Sequence, residues 1–239
     1  MQPCSQGRDG PVLKLTLGAR TAAVKVFDRE SASARDAYDR EVTLLRALNG
    51  TGLSPRLLGY SKDDLFVVME WIEGQTLKQV LRARADRQLG IALGTWFAGF
   101  AVAVPAKPDD TDWYSYLAKL EEFGHGAALQ DRRRVLEQMP VRAISIAKND
   151  AYLANFLISP EQHLTGIDFG ESRRKPLGWD ILLTARSLHF ALGDEAKPVI
   201  DGMVKGWCDN AEGFDKPEFG KLVRLFLRAL LREADPPEA

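Results

Sequence analysis

Residues 148–170 read Lys-Asn-Asp-Ala-Tyr-Leu-Ala-Asn-Phe-Leu-Ile-Ser-Pro-Glu-Gln-His-Leu-Thr-Gly-Ile-Asp-Phe-Gly. Two short apolar runs flank a polar, proline-containing turn, so the segment predicts loop, strand, turn and strand. Asp150 falls in the loop, and a short hairpin brings Asn155 and Asp168 together. Asn and Asp supply the hard oxygen ligands that Mg²⁺ prefers beside water and phosphate. Asp150 adds a carboxylate able to orient a hydroxyl and receive its proton. These are the parts phosphoryl transfer requires, and the pattern predicts that chemistry.

Upstream, Val12–Leu17 and Thr21–Phe27 are β-rich runs joined by Gly18-Ala19-Arg20, a hairpin signal. Ser33-Ala34-Arg35-Asp36 has the form of a capping box and predicts a helix starting at Ser33. Ala34, Ala37, Tyr38, Leu44, Leu45 and Leu48 form its apolar stripe, and Asn49-Gly50 predicts its end. Glu41 falls inside that stripe. A carboxylate on a buried face needs a partner, and Lys25, reaching from the preceding strand, is the candidate. Leu65–Trp71 predicts a buried strand, and Trp71–Gly74 a hinge.

Beyond the hinge the chain is mostly helical, with helices predicted over 76–85, 88–103, 112–123, 127–139, 178–191, 195–208 and 217–233. A β-rich first third before a helix-rich remainder predicts an α+β protein of two lobes, 1–72 and 73–239. At 239 residues, 45% of them hydrophobic, a sizeable core is expected. The formal net charge of -1 gives no global attraction to nucleic acid, and none is expected as a partner. Cys4 and Cys208 are too few and too far apart for a disulfide framework, and are expected as reduced thiols. Residues 1–7 lack the apolar core of a signal peptide, and Ile91–Val104 is too short to span a bilayer. A cytoplasmic protein is the expectation.

Ala23-Val24-Lys25, Glu41, Met69-Glu70-Trp71-Ile72-Glu73-Gly74, Asp150…Asn155 and Asp168-Phe169-Gly170 occur in an order that resembles the protein-kinase-like superfamily. The nearest resemblance is to its atypical bacterial members, the lipopolysaccharide-core (Kdo/heptose) kinases and the aminoglycoside and choline phosphotransferases. The resemblance implies a small two-lobed kinase-like fold that uses ATP and Mg²⁺. Lys25, positioned by Glu41, would hold the α- and β-phosphates. Asn155 and Asp168 would bind the metal, and Asp150 would serve the acceptor hydroxyl. Adenine would bond the backbone of Glu70 and Ile72. Ser5-Gln6-Gly7-Arg8-Asp9-Gly10 stands where a glycine-rich loop would let N–H groups at Gly7 and Gly10 approach phosphates, with a leading strand that is short or absent.

The departures narrow the acceptor. Only twelve residues run from Asp168 to Asp180, with no Ala-Pro-Glu, which leaves no room for the segment on which protein kinases dock peptides. Lys148 replaces the usual His or Tyr, and is expected to place positive charge near the transferring phosphate. Asn149 replaces the usual Arg or Gly, and Tyr152 stands where Ser/Thr kinases have Lys. Arg173-Arg174-Lys175 can face an anionic acceptor such as a phosphorylated sugar. Arg132-Arg133-Arg134 reads as a solvated helix face. The last helix interleaves Lys221, Arg224, Arg228 and Arg232 with leucines, and either closes a core or rests on a membrane surface. The expected acceptor is a sugar or another small hydroxylated molecule, anionic or lipid-linked. The rivals are a compact protein serine/threonine kinase and a non-catalytic nucleotide-binding scaffold.

Overall fold

The computed structural model describes residues 2–7, 10–104, 118, 133–150 and 152–234. The chain divides into two compact units, one of residues 1–77 with 154–172 and one of residues 78–153 with 173–239. The predicted helix over 112–123 lies outside the described residues except for residue 118. Of the one over 127–139, residues 133–137 are described as helical.

The first unit is built on a five-stranded antiparallel sheet. Its strands are β1 (Gln2–Gly7), β2 (Gly10–Leu17), β3 (Arg20–Val26), β4 (Leu57–Ser61) and β5 (Phe66–Glu70), in the order β1-β2-β3-β5-β4. Alternation along β3 buries Ala23 and Lys25 on one face, and Phe27 continues that side. Helix α1 (Ala32–Ala47) turns Ala34, Ala37, Tyr38, Glu41, Leu44 and Leu45 inward, the stripe predicted from sequence. Tyr38 meets Phe27 edge to face, with ring centroids 5.5 Å apart. The cap is Ser31, not Ser33. The Ser31 Oγ accepts from the Ala34 N–H at 3.3 Å, and Ser33 is already in the first turn. Ser31 has the extended backbone a cap requires.

A smaller three-stranded antiparallel sheet, β6-β8-β9, completes this unit from β6 (Gln75–Thr76), β8 (Phe156–Ile158) and β9 (Leu164–Gly166). It contains the hairpin predicted from residues 155–168. A Cβ on Gly74 would lie 2.3 Å from the Ile158 carbonyl oxygen, so this crossing admits only glycine.

The described residues of the second unit are mostly helical, with one ribbon, β7 (Ile144–Ala147) paired with β10 (Arg173–Pro176). Its described helices include α2 (Leu77–Ala83), whose first residue belongs to the other unit, α3 (Arg87–Ala103), α4 (Trp179–Leu192), α5 (Ala196–Cys208) and α6 (Lys216–Ala234). Asp86 caps α3 by accepting from the Gln88 N–H at 2.8 Å. Two Gly-x-x-x-Gly pairs, Gly90/Gly94 on α3 and Gly202/Gly206 on α5, bring these helices into backbone contact. Added Cβ atoms would sit 2.0–2.3 Å from carbonyl oxygens of the facing helix. Such close approach allows Cα–H···O contacts that larger residues would prevent. Helix α6 buries Leu222, Val223 and Phe226, with the Phe226 ring 5.9 Å from that of Trp179. Among the described residues no helix is long and apolar enough to cross a membrane.

Candidate active site

In the first unit Lys25 stands between two carboxylates. Its Nζ lies 2.7 Å from Asp168 Oδ1 and 3.3 Å from Glu41 Oε2, and the lysine is only 4% exposed. Burial explains the arrangement: an isolated ammonium or carboxylate would be strongly disfavoured here, and the Lys25 ammonium offsets the buried Glu41 carboxylate while Asp168 is partly exposed. Glu41 Oε2 also accepts the Phe169 N–H at 2.7 Å. Its neighbour Arg40 donates from Nε to the Gly170 carbonyl at 2.5 Å. Helix α1 thus grips the Asp168-Phe169-Gly170 turn at two points, while Phe169 is fully buried. The Lys25–Glu41 pairing matches the sequence expectation. The Arg40 contact carries no sequence signal, because an arginine on a helix normally reads as a solvated side chain.

Hairpin register explains how Asn155 approaches Asp168. Phe156 pairs with Gly166, and the Ile167 N–H donates to the Asn155 carbonyl at 2.9 Å. Asn155 therefore lies one residue from Asp168 across the ladder. Asp168 itself has a left-handed backbone (φ 61°), a conformation Asp tolerates better than most residues. The backbone thus brings Asn155 and Asp168 to neighbouring positions, and an amide oxygen and a carboxylate are the ligand types a hard divalent ion such as Mg²⁺ takes.

Gly7 and Gly10, expected in a phosphate-approaching loop, lie at facing strand ends. Gly7 pairs with Gly10 where β1 meets β2, and β1 supplies a six-residue leading strand where a short or absent one was expected. A Cβ on Gly10 would be 1.8 Å from the Val26 carbonyl oxygen, so close packing on β3 alone requires glycine there. At the hinge, the Glu70 N–H is committed to the Arg56 carbonyl at 2.9 Å, and Ile72 is half-buried. Glu73 accepts from Lys14 Nζ at 2.9 Å and from Trp71 Nε1 at 2.7 Å, which hold its carboxyl below the usual range. Lys14 was not foreseen.

In the second unit, Lys148 and Asp150 follow β7. Asp180, in the first turn of α4, accepts the backbone N–H of Lys148 at 2.8 Å and of Asn149 at 2.9 Å. Trp179 Nε1 donates to Asn149 Oδ1 at 3.2 Å, and Asn149 has a left-handed backbone with φ 57°. Burial pushes the Asp180 carboxyl up to about 6, against the opposing pull of those two N–H groups. Lys148 is wholly buried, with Nζ 3.4 Å from the Asp150 carbonyl oxygen. Asp150 Oδ1 accepts the Tyr152 N–H at 3.3 Å. Asp180 was missed as a holder of this loop; an acidic residue in a first helical turn reads as an ordinary dipole partner.

Solved structures share the fold. A macrolide 2'-phosphotransferase from Brachybacterium faecium aligns with a TM-score of 0.65 and 13% identity, over 100% of this chain and 93% of that one. An ethanolamine kinase from Plasmodium vivax aligns at 0.65 and 10%, over 95% and 72%. A choline kinase from Streptococcus pneumoniae aligns at 0.54 and 14%, over 100% and 89%. No curated protein matches the sequence. The model of one family, described as "Phosphotransferase enzyme family", matches residues 1–217 and so spans every candidate residue above. With the kinase-like fold and the Lys25–Glu41–Asp168 network already established, that match closes the question of kinship: the chain belongs to the phosphotransferase enzyme family.

Proposed function

We propose that this phosphotransferase moves the γ-phosphate of ATP, with Mg²⁺, to a hydroxyl of a sugar or another small acceptor. The observation that carries the reading is the buried Lys25 ammonium held by Glu41 and Asp168, with Glu41 also fixing the Phe169 N–H. A cation held on the central strand of a sheet by two carboxylates, one of them Asp168, suits a polyphosphate and its metal.

Residues 1–72 act as the nucleotide-binding lobe and residues 73–239 as the lobe of the catalytic loop. Lys25 binds the α- and β-phosphates, and Glu41 keeps its ammonium oriented. Gly7 and Gly10 let the β1–β2 hairpin approach phosphate. Since the Glu70 N–H is already bonded, adenine contacts fall to its carbonyl and to the Ile72 backbone. Mg²⁺ held by Asn155 and Asp168 would neutralise charge on the phosphate oxygens. Asp150 receives the proton of the acceptor hydroxyl as its oxygen bonds to the γ-phosphorus. The bond from that phosphorus to the β–γ bridging oxygen breaks, and ADP leaves with the bond's electrons. Lys148, buried with its ammonium donating to the Asp150 carbonyl oxygen at 3.4 Å, holds the backbone of Asp150 in place.

A thermal-shift titration tests this. ATP with Mg²⁺ at about 100 times Kd should raise the midpoint by roughly 5 °C, and ATP with a chelator by far less. Lys25→Met should abolish the shift. Stabilisation indifferent to metal or to Lys25 would contradict the reading and favour a scaffold.

A further inference from the structure

Lys14 and Lys25 project from one face of the five-stranded sheet. Directly opposed residues of an antiparallel ladder share a face, and register sets Val12 opposite Lys25 and Lys14 opposite Ala23. On the other side of β3, Lys25 faces Val67 and Ala23 faces Met69. Lys14, Ala23 and Met69 thus form a row beside that of Lys25, about 7 Å away along the strands. The step runs toward the hinge, because Trp71 follows Met69 by two residues. Helix α1 packs against β4 and β5, and Lys14 stands on the opposite side of β3 from both.

The tip of Lys14 is anchored. Its Nζ donates to Glu73 Oε1 at 2.9 Å and lies 4.3 Å from the centre of the Trp71 ring. Trp71 Nε1 donates to the same carboxylate oxygen at 2.7 Å. Trp71 and Glu73 flank Ile72, whose backbone is assigned above to the nucleobase. A base bonded there lies against the side chain that contacts both neighbours of Ile72. An exposed ion pair contributes little to stability, so folding alone does not call for this one.

The carboxylate decides which part of Lys14 serves a ligand. With its charge compensated by Glu73, the ammonium makes a poor second anchor for phosphate. The methylene stem remains. The side chain is 30% exposed, and lysine stems cover apolar surface while the charged head stays in a polar setting. The π-face of a nucleobase is such a surface.

Resting on the phosphotransferase reading above, we propose that Lys14 is a nucleobase-binding residue, its methylene stem covering one face of the base while Glu73 and Trp71 hold its ammonium at the edge.

Calorimetry tests this with MgATP and with Mg-tripolyphosphate, which carries phosphates but no base. The proteins are the wild type, Lys14→Ala, Lys14→Met and Lys25→Met, and the two Lys14 variants are checked for an unchanged thermal midpoint. Lys14→Ala should raise the Kd for MgATP by about tenfold, the loss expected for about two methylene groups of apolar cover. Lys14→Met keeps an unbranched stem without the charge and should lose no more than about threefold. For tripolyphosphate the Ala and Met variants should agree within about twofold, because no base is present to be covered. Equal loss of MgATP affinity in the Ala and Met variants would make Lys14 a charge or a hinge anchor and overturn the proposal. So would an Ala–Met difference that persists with tripolyphosphate, or wild-type MgATP affinity in Lys14→Ala. A wild type that binds neither ligand, or a Lys25→Met variant that binds both as well as wild type, would instead sink the phosphate site on which the proposal rests.

Discussion

Asp180 couples protonation to the geometry of the Lys148–Asp150 loop, the proposed catalytic loop. Its ionised carboxylate gives one oxygen to each of two backbone N–H groups, whereas a protonated carboxyl surrenders part of that accepting capacity. With a carboxyl pushed up to about 6, turnover should fall as pH drops through that value. The stability effect has the opposite sign. The folded state holds this proton to higher pH than the unfolded chain does, so between the usual value of 3.8 and about 6 it binds more protons. The Asp180 contribution to stability therefore declines as pH rises through that window. In Asp180→Asn the limb near 6 should vanish from a pH–rate profile. Because one loop N–H loses its acceptor, a loss of about 1–3 kcal/mol in denaturant unfolding should accompany it. A wild-type profile flat from pH 5 to 7, or a limb retained by the Asn variant, would show that Asp180 does not control the loop.

The pairing of α3 with α5 rests on glycines rather than on interdigitated large side chains. Gly94→Ala would put a methyl group 2.0 Å from the Met203 carbonyl oxygen, and backbone on both sides leaves nowhere for it to go. The helices must separate, at an expected cost of about 3 kcal/mol, the upper range for overpacking. Thermal or denaturant unfolding measures it; a variant within about 0.5 kcal/mol of wild type would show a looser helix pair. These glycines look like flaws in an apolar run, and their role is visible only when Gly202 and Gly206 face them. Other elements were legible because local chemistry narrows the choice. Glu41 in an apolar stripe demanded a cation, and Asn155 and Asp168 flank a turn that can only be a hairpin. Strand β10 was not legible: Arg-Arg-Lys-Pro has poor strand propensity, and its ladder with β7 imposes the conformation. The cap of α1 moved from Ser33 to Ser31 because two serines two positions apart look alike in sequence. Lys148 was read as a charge facing phosphate, and what sequence could not convey is its complete burial.

Taken as one chain, the protein distributes its proposed chemistry over both compact units. Lys25, Glu41, Asn155 and Asp168 belong to one, and Lys148, Asp150 and Asp180 to the other. That division makes binding and transfer separable by mutation. Removing Asp150 leaves every proposed phosphate and metal contact of the first unit in place, so the nucleotide should still bind. The decisive measurement is γ-phosphate transfer from labelled ATP to a hydroxyl acceptor, made alongside ATP affinity, for the wild type and Asp150→Ala. Loss of a general base lowers transfer by about 10²–10⁴-fold. The account predicts a loss of that size in Asp150→Ala, with ATP affinity within about threefold of wild type. Undiminished transfer by Asp150→Ala would contradict it.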